Sequence, residues 1–110
     1  MTPTAGRFPP RHELPEIDGP ALAAAAALDR LLAEAREREA DRWIRYFAPL
    51  PDRLRDDPIP GLRGAARLVR AAFGPKDSVR DALSAEVTEP ALETADRLLK
   101  AIARYEAHRD

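Results

Sequence analysis

The side chains that most often perform chemistry are few in this sequence of 110 residues, and their spacing is poorly suited to catalysis or metal binding. Neither His12 nor His108 belongs to a His-Glu-x-x-His or Glu-x-x-His motif, in which two ligands share one face of a helix. The chain has no cysteine, which excludes disulfides, thiolate nucleophiles and zinc–thiolate sites. We therefore expect solvated histidines, no metal and no cofactor.

Catalysis by a serine or by a buried carboxylate is also poorly supported. The only serines are Ser78 and Ser84; neither lies in a nucleophile-elbow motif, and Ser78 is better placed to cap a helix. Glu39 is the one carboxylate on the apolar side of a predicted helix, where burial would make it a candidate general base. A pair with Arg36, three residues earlier, is its more ordinary role. We expect a protein that is not an enzyme.

Two stripes of basic residues form the most suggestive pattern. The first lies on a predicted helix over 61–73, which has no acidic residue, and consists of Arg63, Arg67 and Arg70. The second lies on the last predicted helix and consists of Arg97, Lys100 and Arg104. If the two helices pack side by side, the stripes form one patch suited to phosphates, as in a nucleic-acid-binding protein. The alternative is a solvated face whose arginines pair with carboxylates, which the balance of 18 basic and 19 acidic residues favours.

The element that positions many of the other candidates is a predicted long helix over 20–47. Ala, Leu, Glu and Arg dominate this segment, and all are strong helix formers. Pro20 suits the first turn, where its missing N–H leaves nothing unsatisfied. Apolar residues fall on one broad face, but Arg36 and Glu39 interrupt it midway. The helix is therefore expected to make two separate contacts or to cross a wet groove at its middle.

Three aromatic residues close this helix and share its apolar face with two leucines. The five residues are Trp43, Tyr46, Phe47, Leu28 and Leu32. Such a cluster is either a corner of the core or the anchor of an interface, because large aromatic side chains dominate the energetics of both. We take the five as the candidate interface, and we expect Trp43 to be buried in either setting.

The rest of the sequence predicts two further principal helices and one or two short ones. Helix 61–73 ends at Gly74, which suits the left-handed residue that terminates many helices. Helix 89–107 has Thr88 as its expected cap and Pro90 in its first turn. The short helices are expected at 52–57 and 78–83.

The segment 1–19 differs from the rest because it contains four prolines. This composition favours extended or disordered backbone and disfavours helix. Phe8, Leu14 and Ile17 are apolar residues spaced along the segment, so a strap that lies over the helices is the alternative to a disordered leader. We predict a proline-rich arm at 1–19 and a single helical domain at 20–110.

Hydropathy and length limit the class of protein. No apolar run approaches the roughly 20 residues needed to cross a bilayer, and no apolar segment near the start is typical of a signal peptide. We therefore expect a cytoplasmic protein that does not bind membranes. Alanine supplies much of the 45% hydrophobic content, which leaves a thin core and favours pairing with another chain.

The sequence thus predicts an all-α fold, a small bundle of three principal helices at about 20–47, 61–73 and 89–107. The function we favour is a non-enzymatic helical protein–protein interaction or scaffold module that self-associates, with a second copy or another helical protein as its partner. The alternative is a small nucleic-acid-binding or regulatory protein that uses the stripe of Arg63, Arg67 and Arg70.

Overall fold

The computed structural model describes residues 9–108, and within this range it contains helices and turns but no strand. Residues 9–108 form five α-helices: α1 (Pro15–Glu37), α2 (Asp41–Phe47), α3 (Leu50–Asp56), α4 (Ile59–Ala71) and α5 (Ala85–Ala107). Short 3-10 turns lie at Arg11–Glu13 and Val79–Asp81. The all-α prediction is confirmed.

The helices form an antiparallel bundle of four arms, in which α2 and α3 together make the second arm. α1 packs along α5 and α3, and α4 packs along the same two helices. Glu34, near the end of α1, contacts Ser84 just before α5, and Arg63, near the start of α4, pairs with Glu106 at the end of α5. Because these contacts join opposite ends, α5 runs antiparallel to α1 and to α4; Arg11, just before α1, likewise contacts Asp57, just after α3, so α3 runs antiparallel to α1.

The core fills the space between the four arms, and every arm contributes to it. Its largest fully buried side chains include Ile17, Leu28, Leu31, Phe47, Leu50, Leu54, Ile59, Leu62, Leu98 and Ile102. Alanines on α1, α4 and α5 are buried between them, which allows close approach of the helices. Full burial of each leucine-sized side chain contributes roughly 1.5–3 kcal/mol.

The prediction of one helix over 20–47 is wrong, because the chain leaves the helix after Glu37 and starts α2 at Asp41. Glu39 adopts the left-handed region with φ of 55°. Its N–H donates to the carbonyl of Arg36, and the N–H of Ala40 donates to the carbonyl of Ala35. This pair of hydrogen bonds is a Schellman motif, which satisfies the last carbonyls of a helix. The polar interruption in the sequence therefore marks a helix end.

The prediction of an extended arm over 1–19 is wrong for residues 11–19, and residues 1–8 lie outside the described part of the chain. Residues 11–13 form the 3-10 turn, and α1 begins at Pro15. Leu14 and Ile17 are buried, and Arg11 binds the carboxylate of Asp18 as well as the backbone carbonyl of Asp57. Burial and this clamp hold the segment in place.

Both of the other principal helices start earlier than predicted. α4 starts at Ile59 rather than 61, and α5 starts at Ala85 rather than 89. Thr88, the expected cap of the last helix, is instead buried inside α5. The expected short helix over 78–83 is reduced to the 3-10 turn, although Ser78 caps it by accepting a hydrogen bond from the N–H of Arg80 at 3.1 Å.

The turn between α3 and α4 depends on a glycine. A Cβ atom at Gly61 would lie 2.4 Å from Oδ2 of Asp57, too close for any side chain. The absence of that atom lets Asp57 sit against the first turn of α4, where a carboxylate is favoured by the helix dipole. Arg53 then donates to Asp57 and to the carbonyl of Gly61, which joins the two helices.

Candidate interaction surface

The aromatic cluster lies at the end of α2 and packs into the bundle. The Trp43 ring centroid lies 5.6 Å from that of Tyr46 and 6.0 Å from that of Phe47. Trp43 is 6% exposed and Phe47 is fully buried, and Leu28 and Leu32 are also in the core. Four of the five residues of the candidate interface are therefore inaccessible to a partner in the folded chain.

Tyr46 is the exception, because it is half-buried at the edge of the cluster. Its hydroxyl donates a hydrogen bond of 2.6 Å to the backbone carbonyl of Leu68 on α4. Burial raises the pKa of this phenol above its usual value. Tyr46 therefore connects the second arm to the third, and the contact surface of an interaction module has to be sought outside the cluster.

The two helices that carry the basic stripes, α4 and α5, pack against each other, as the phosphate-binding hypothesis requires. Three of the six residues, however, are paired with carboxylates: Arg63 with Glu106, Arg70 with Asp96, and Arg97 with Glu93. Arg67, Lys100 and Arg104 are exposed and have no ion pair within residues 9–108. The stripes therefore form a basic face on which half of the six cations are paired with carboxylates.

A shallow groove of about 300 Å³ lies between α4 and α5, within this face. Arg70, Asp96, Leu99, Lys100 and Ala103 line it. The pairs of Arg63 with Glu106 and of Arg70 with Asp96 set the register of the two antiparallel helices, and this register places Arg67 near the level of Lys100. Leu99 and Ala103 give the groove an apolar part, and Lys100 is a lining cation without an ion pair among the described residues, so the groove is able to attract an anion.

The histidines and the carboxylate considered for catalysis or metal binding are all exposed. Glu39 is exposed in the turn after α1, so the predicted burial on an apolar face is wrong. His12 and His108 are both exposed, and His108 contacts the backbone carbonyl of Arg104 through Nδ1. Within residues 9–108, no group of three His, Asp or Glu side chains is arranged to hold a metal ion.

A polar junction that the sequence pattern did not reveal joins α1 to α5. The carboxylate of Glu34 accepts hydrogen bonds from the backbone N–H of Ser84 at 2.6 Å and from its hydroxyl at 2.7 Å. These two bonds, together with the nearby Arg38, lower the pKa of Glu34. The junction closes the bundle at one end, and both the backbone N–H and the hydroxyl of Ser84 take part in it.

The outward face of α1 is a second feature that sequence analysis missed. No residue from Gly19 to Leu28 carries a charge. The inward side of this segment is buried in the core, whereas Gly19, Ala23 and Ala26 are exposed, and Leu22 is 45% exposed. Leu22 and Leu68 are the two exposed large hydrophobic residues among those described. The uncharged run was a visible signal, but its meaning depends on which side of the helix the bundle covers.

None of the helices within residues 9–108 combines the length and apolar character needed to cross a bilayer. The chain matches no protein-family model, no curated protein and no solved structure.

Proposed function

We propose that this chain is a non-enzymatic helical interaction or scaffold module that self-associates through the outward face of α1. The observation that carries the proposal is the uncharged segment from Gly19 to Leu28. A helix that is apolar on all sides is normally buried on all sides, whereas a helix at the surface of a bundle carries charged residues on its outer face. The bundle covers one side of this segment only.

The expected association is moderate in strength. α1 has 23 residues and is therefore about 34 Å long. A contact between two such helices buries less than the roughly 800 Å² per partner that is typical of a stable interface. Most of the exposed side chains in the segment are methyl groups, so Leu22 is the main apolar contribution. We expect dissociation constants in the micromolar range, rather than an obligate dimer.

Analytical ultracentrifugation across a concentration series tests the proposal. The wild-type chain is expected to pass from 12.2 kDa to twice that mass as its concentration rises through the micromolar range. Ala23→Arg places a charge at the centre of the face and is expected to keep the chain monomeric with an unchanged helical circular dichroism spectrum. Ala103→Arg, at an exposed alanine within α5, is the matched control and is expected to associate like the wild type. A wild-type monomer at every concentration contradicts the proposal.

The alternative function is anion or nucleic-acid binding at the groove between α4 and α5. Arg67, Lys100 and Arg104 favour it, because they lie on adjacent helices without a carboxylate partner among the described residues. The three ion pairs on the same face oppose it, since paired arginines attract phosphates less strongly. We therefore place this function second.

Fluorescence anisotropy with short DNA and RNA at low salt separates the two functions. Binding that weakens with salt and is lost on replacing Arg67, Lys100 and Arg104 by Ser would establish the alternative. The absence of any binding by the wild-type chain at low salt would eliminate it.

A further inference from the structure

We propose that a second copy of this chain docks on α1 in an antiparallel arrangement, with a two-fold axis between Ala23 and Ala26. This inference rests on the proposed self-association and adds the orientation and register of the partner. The residues on the outward face of α1, named here the α1 seam, are Glu16, Gly19, Ala23, Ala26, Arg30, Ala33 and Glu37. All of them are exposed, and their spacing alternates between three and four residues. This spacing is the one that keeps two packed helices in contact along their length.

The charges on the α1 seam select the antiparallel orientation. Glu16 lies before the uncharged segment and Arg30 lies after it, and neither has an ion pair within residues 9–108. In a parallel pair, Glu16 would face the partner's Glu16 and Arg30 would face the partner's Arg30. Like charges would therefore meet at both ends of the pair. In an antiparallel pair with Ala23 opposite the partner's Ala26, the partner's Arg30 lies about 4.5 Å along the helix axis from Glu16, and the same contact is repeated at the other end by Arg30 and the partner's Glu16. The α1 seam is thus complementary to itself in one orientation only.

Gly19 supports the same register. Glycine is less favourable than alanine inside a helix, and Gly19 needs no positive φ. A Cβ atom there would have no neighbour within 4 Å, so nothing within the described residues requires a glycine. With Ala23 opposite the partner's Ala26, Gly19 lies opposite the partner's Arg30. The missing side chain leaves a path for that guanidinium to reach Glu16, which is about 4.5 Å further along the helix.

Leu22 lies beside the α1 seam and is exposed, so it adds an apolar contact that the partner helix has to match. A helical partner that covers the seam also covers part of this side chain, which is 45% exposed in the single chain. A partner that fits the α1 seam offers small residues opposite Ala23 and Ala26, a cation within reach of Glu16 and a carboxylate within reach of Arg30. A second copy of α1 meets these requirements.

Charge reversal on the full-length chain tests the register. Glu16→Arg places two arginines together at each end of the antiparallel pair, and we expect the dissociation constant of the dimer to rise on the order of a hundredfold. Arg30→Glu is expected to have a similar effect. The double variant Glu16→Arg/Arg30→Glu restores opposite charges and is expected to return to within about threefold of the wild type.

A matched control separates the interface from effects on helix stability. Glu86 is exposed at the second position of α5, just as Glu16 is exposed at the second position of α1. Glu86→Arg therefore changes the charge and the interaction with the helix dipole by the same amount but lies outside the α1 seam. It is expected to leave the dissociation constant unchanged.

Cross-linking gives a second, geometric test, because the natural chain contains no cysteine. Ala23→Cys lies close to the proposed axis, so its two copies are expected to form a disulfide under mild oxidation. The two copies of Ala33→Cys are separated by about 25 Å along the antiparallel pair and are not expected to do so. In a parallel pair, both variants would cross-link to a similar extent.

The outcomes distinguish the register from self-association itself. A monomeric wild type contradicts both proposals. If the wild type dimerises but the charge-reversal variants have the same dissociation constant, the antiparallel register is wrong, although self-association is supported. The same conclusion follows if Ala23→Cys and Ala33→Cys cross-link equally. Loss of the dimer in each single variant, with recovery in the double variant, supports the register.

Discussion

Replacement of Trp43 by alanine tests whether the aromatic cluster belongs to the core of one chain. Trp43 is 6% exposed and lies in edge and tilted contacts with Tyr46 and Phe47. The guanidinium of Arg42 lies 4.5 Å from the ring centroid and adds a cation–π contact at the surface side. Truncation of a buried Trp to Ala costs about 3–5 kcal/mol, because the lost transfer free energy adds to the cavity that is left.

The size of this loss makes it easy to measure. A domain of this length has a total stability of about 5–15 kcal/mol, so the variant loses a large share of it. A loss of 1 kcal/mol lowers the melting temperature of a domain of 60–100 residues by roughly 4–8 °C. Chemical denaturation followed by circular dichroism gives the free energy of unfolding directly. Arg42→Ala, which removes only the cation–π contact, is the control and is expected to cost about 1 kcal/mol or less.

The dependence on protein concentration decides between core and interface. If Trp43 belongs to the core, Trp43→Ala lowers the free energy of unfolding by the same amount at every protein concentration. The loss is then already complete at low concentration, where the wild type is monomeric. If Trp43 anchors an interface, the two chains have similar stability at low concentration and diverge as the wild type associates. A variant as stable as the wild type at every concentration would refute the assignment to the core.

Three further predictions concern the positions that hold the bundle together. Glu39→Gly removes a side chain from a left-handed residue and is expected to raise the free energy of unfolding by about 0.5–1 kcal/mol, whereas Glu39→Ala is not. Gly61→Ala places a Cβ atom against Asp57 and is expected to cost more than 1 kcal/mol in the same denaturation assay; unchanged stability would contradict the packing of this turn. The pKa of Glu34 is lower in the folded chain than in the unfolded chain. Its bonds to Ser84 therefore contribute stability above the unfolded pKa, and this contribution is lost as the pH falls through the lower folded pKa. Melting temperatures between pH 7 and pH 3 should therefore fall more steeply for the wild type than for Glu34→Gln, and parallel curves would contradict the role of this carboxylate.

The helical character of the chain was predictable because local signals agree with one another. The apolar period located the inward faces of α1, α4 and α5, but their predicted starts at 20, 61 and 89 were late by about five, two and four residues. The break after Glu37 was harder to predict, since neither Gly nor Pro lies there. Its one local sign was the polar interruption at Arg36 and Glu39, which is equally typical of a helix that crosses a wet groove.

The start of α5 shows why local patterns are insufficient at helix ends. Thr88 followed by Pro90 is a good local signal for a helix start. The structure instead begins the helix at Ala85, because the carboxylate of Glu34 reaches Ser84 from 50 residues away. A partner this distant in sequence has no local signature.

The candidate surfaces were predictable only in part for a related reason. Helical spacing placed Arg63 and Arg70 on one face, but their pairs with Glu106 and Asp96 depend on the register of two antiparallel helices. The uncharged run in α1 was recognisable in the sequence as a segment of strong helix formers. Its exposed side became apparent only when the positions of α3 and α5 were known, since those helices decide which residues remain uncovered.

The mass of the wild-type chain in solution, measured by sedimentation equilibrium from the low micromolar to the millimolar range, tests self-association through α1 most directly. The account predicts a reversible rise from 12.2 kDa towards twice that value, and a mass that stays at 12.2 kDa for Ala23→Arg throughout. A wild-type mass that remains at 12.2 kDa at every concentration, or an Ala23→Arg variant that associates as well as the wild type, would contradict it.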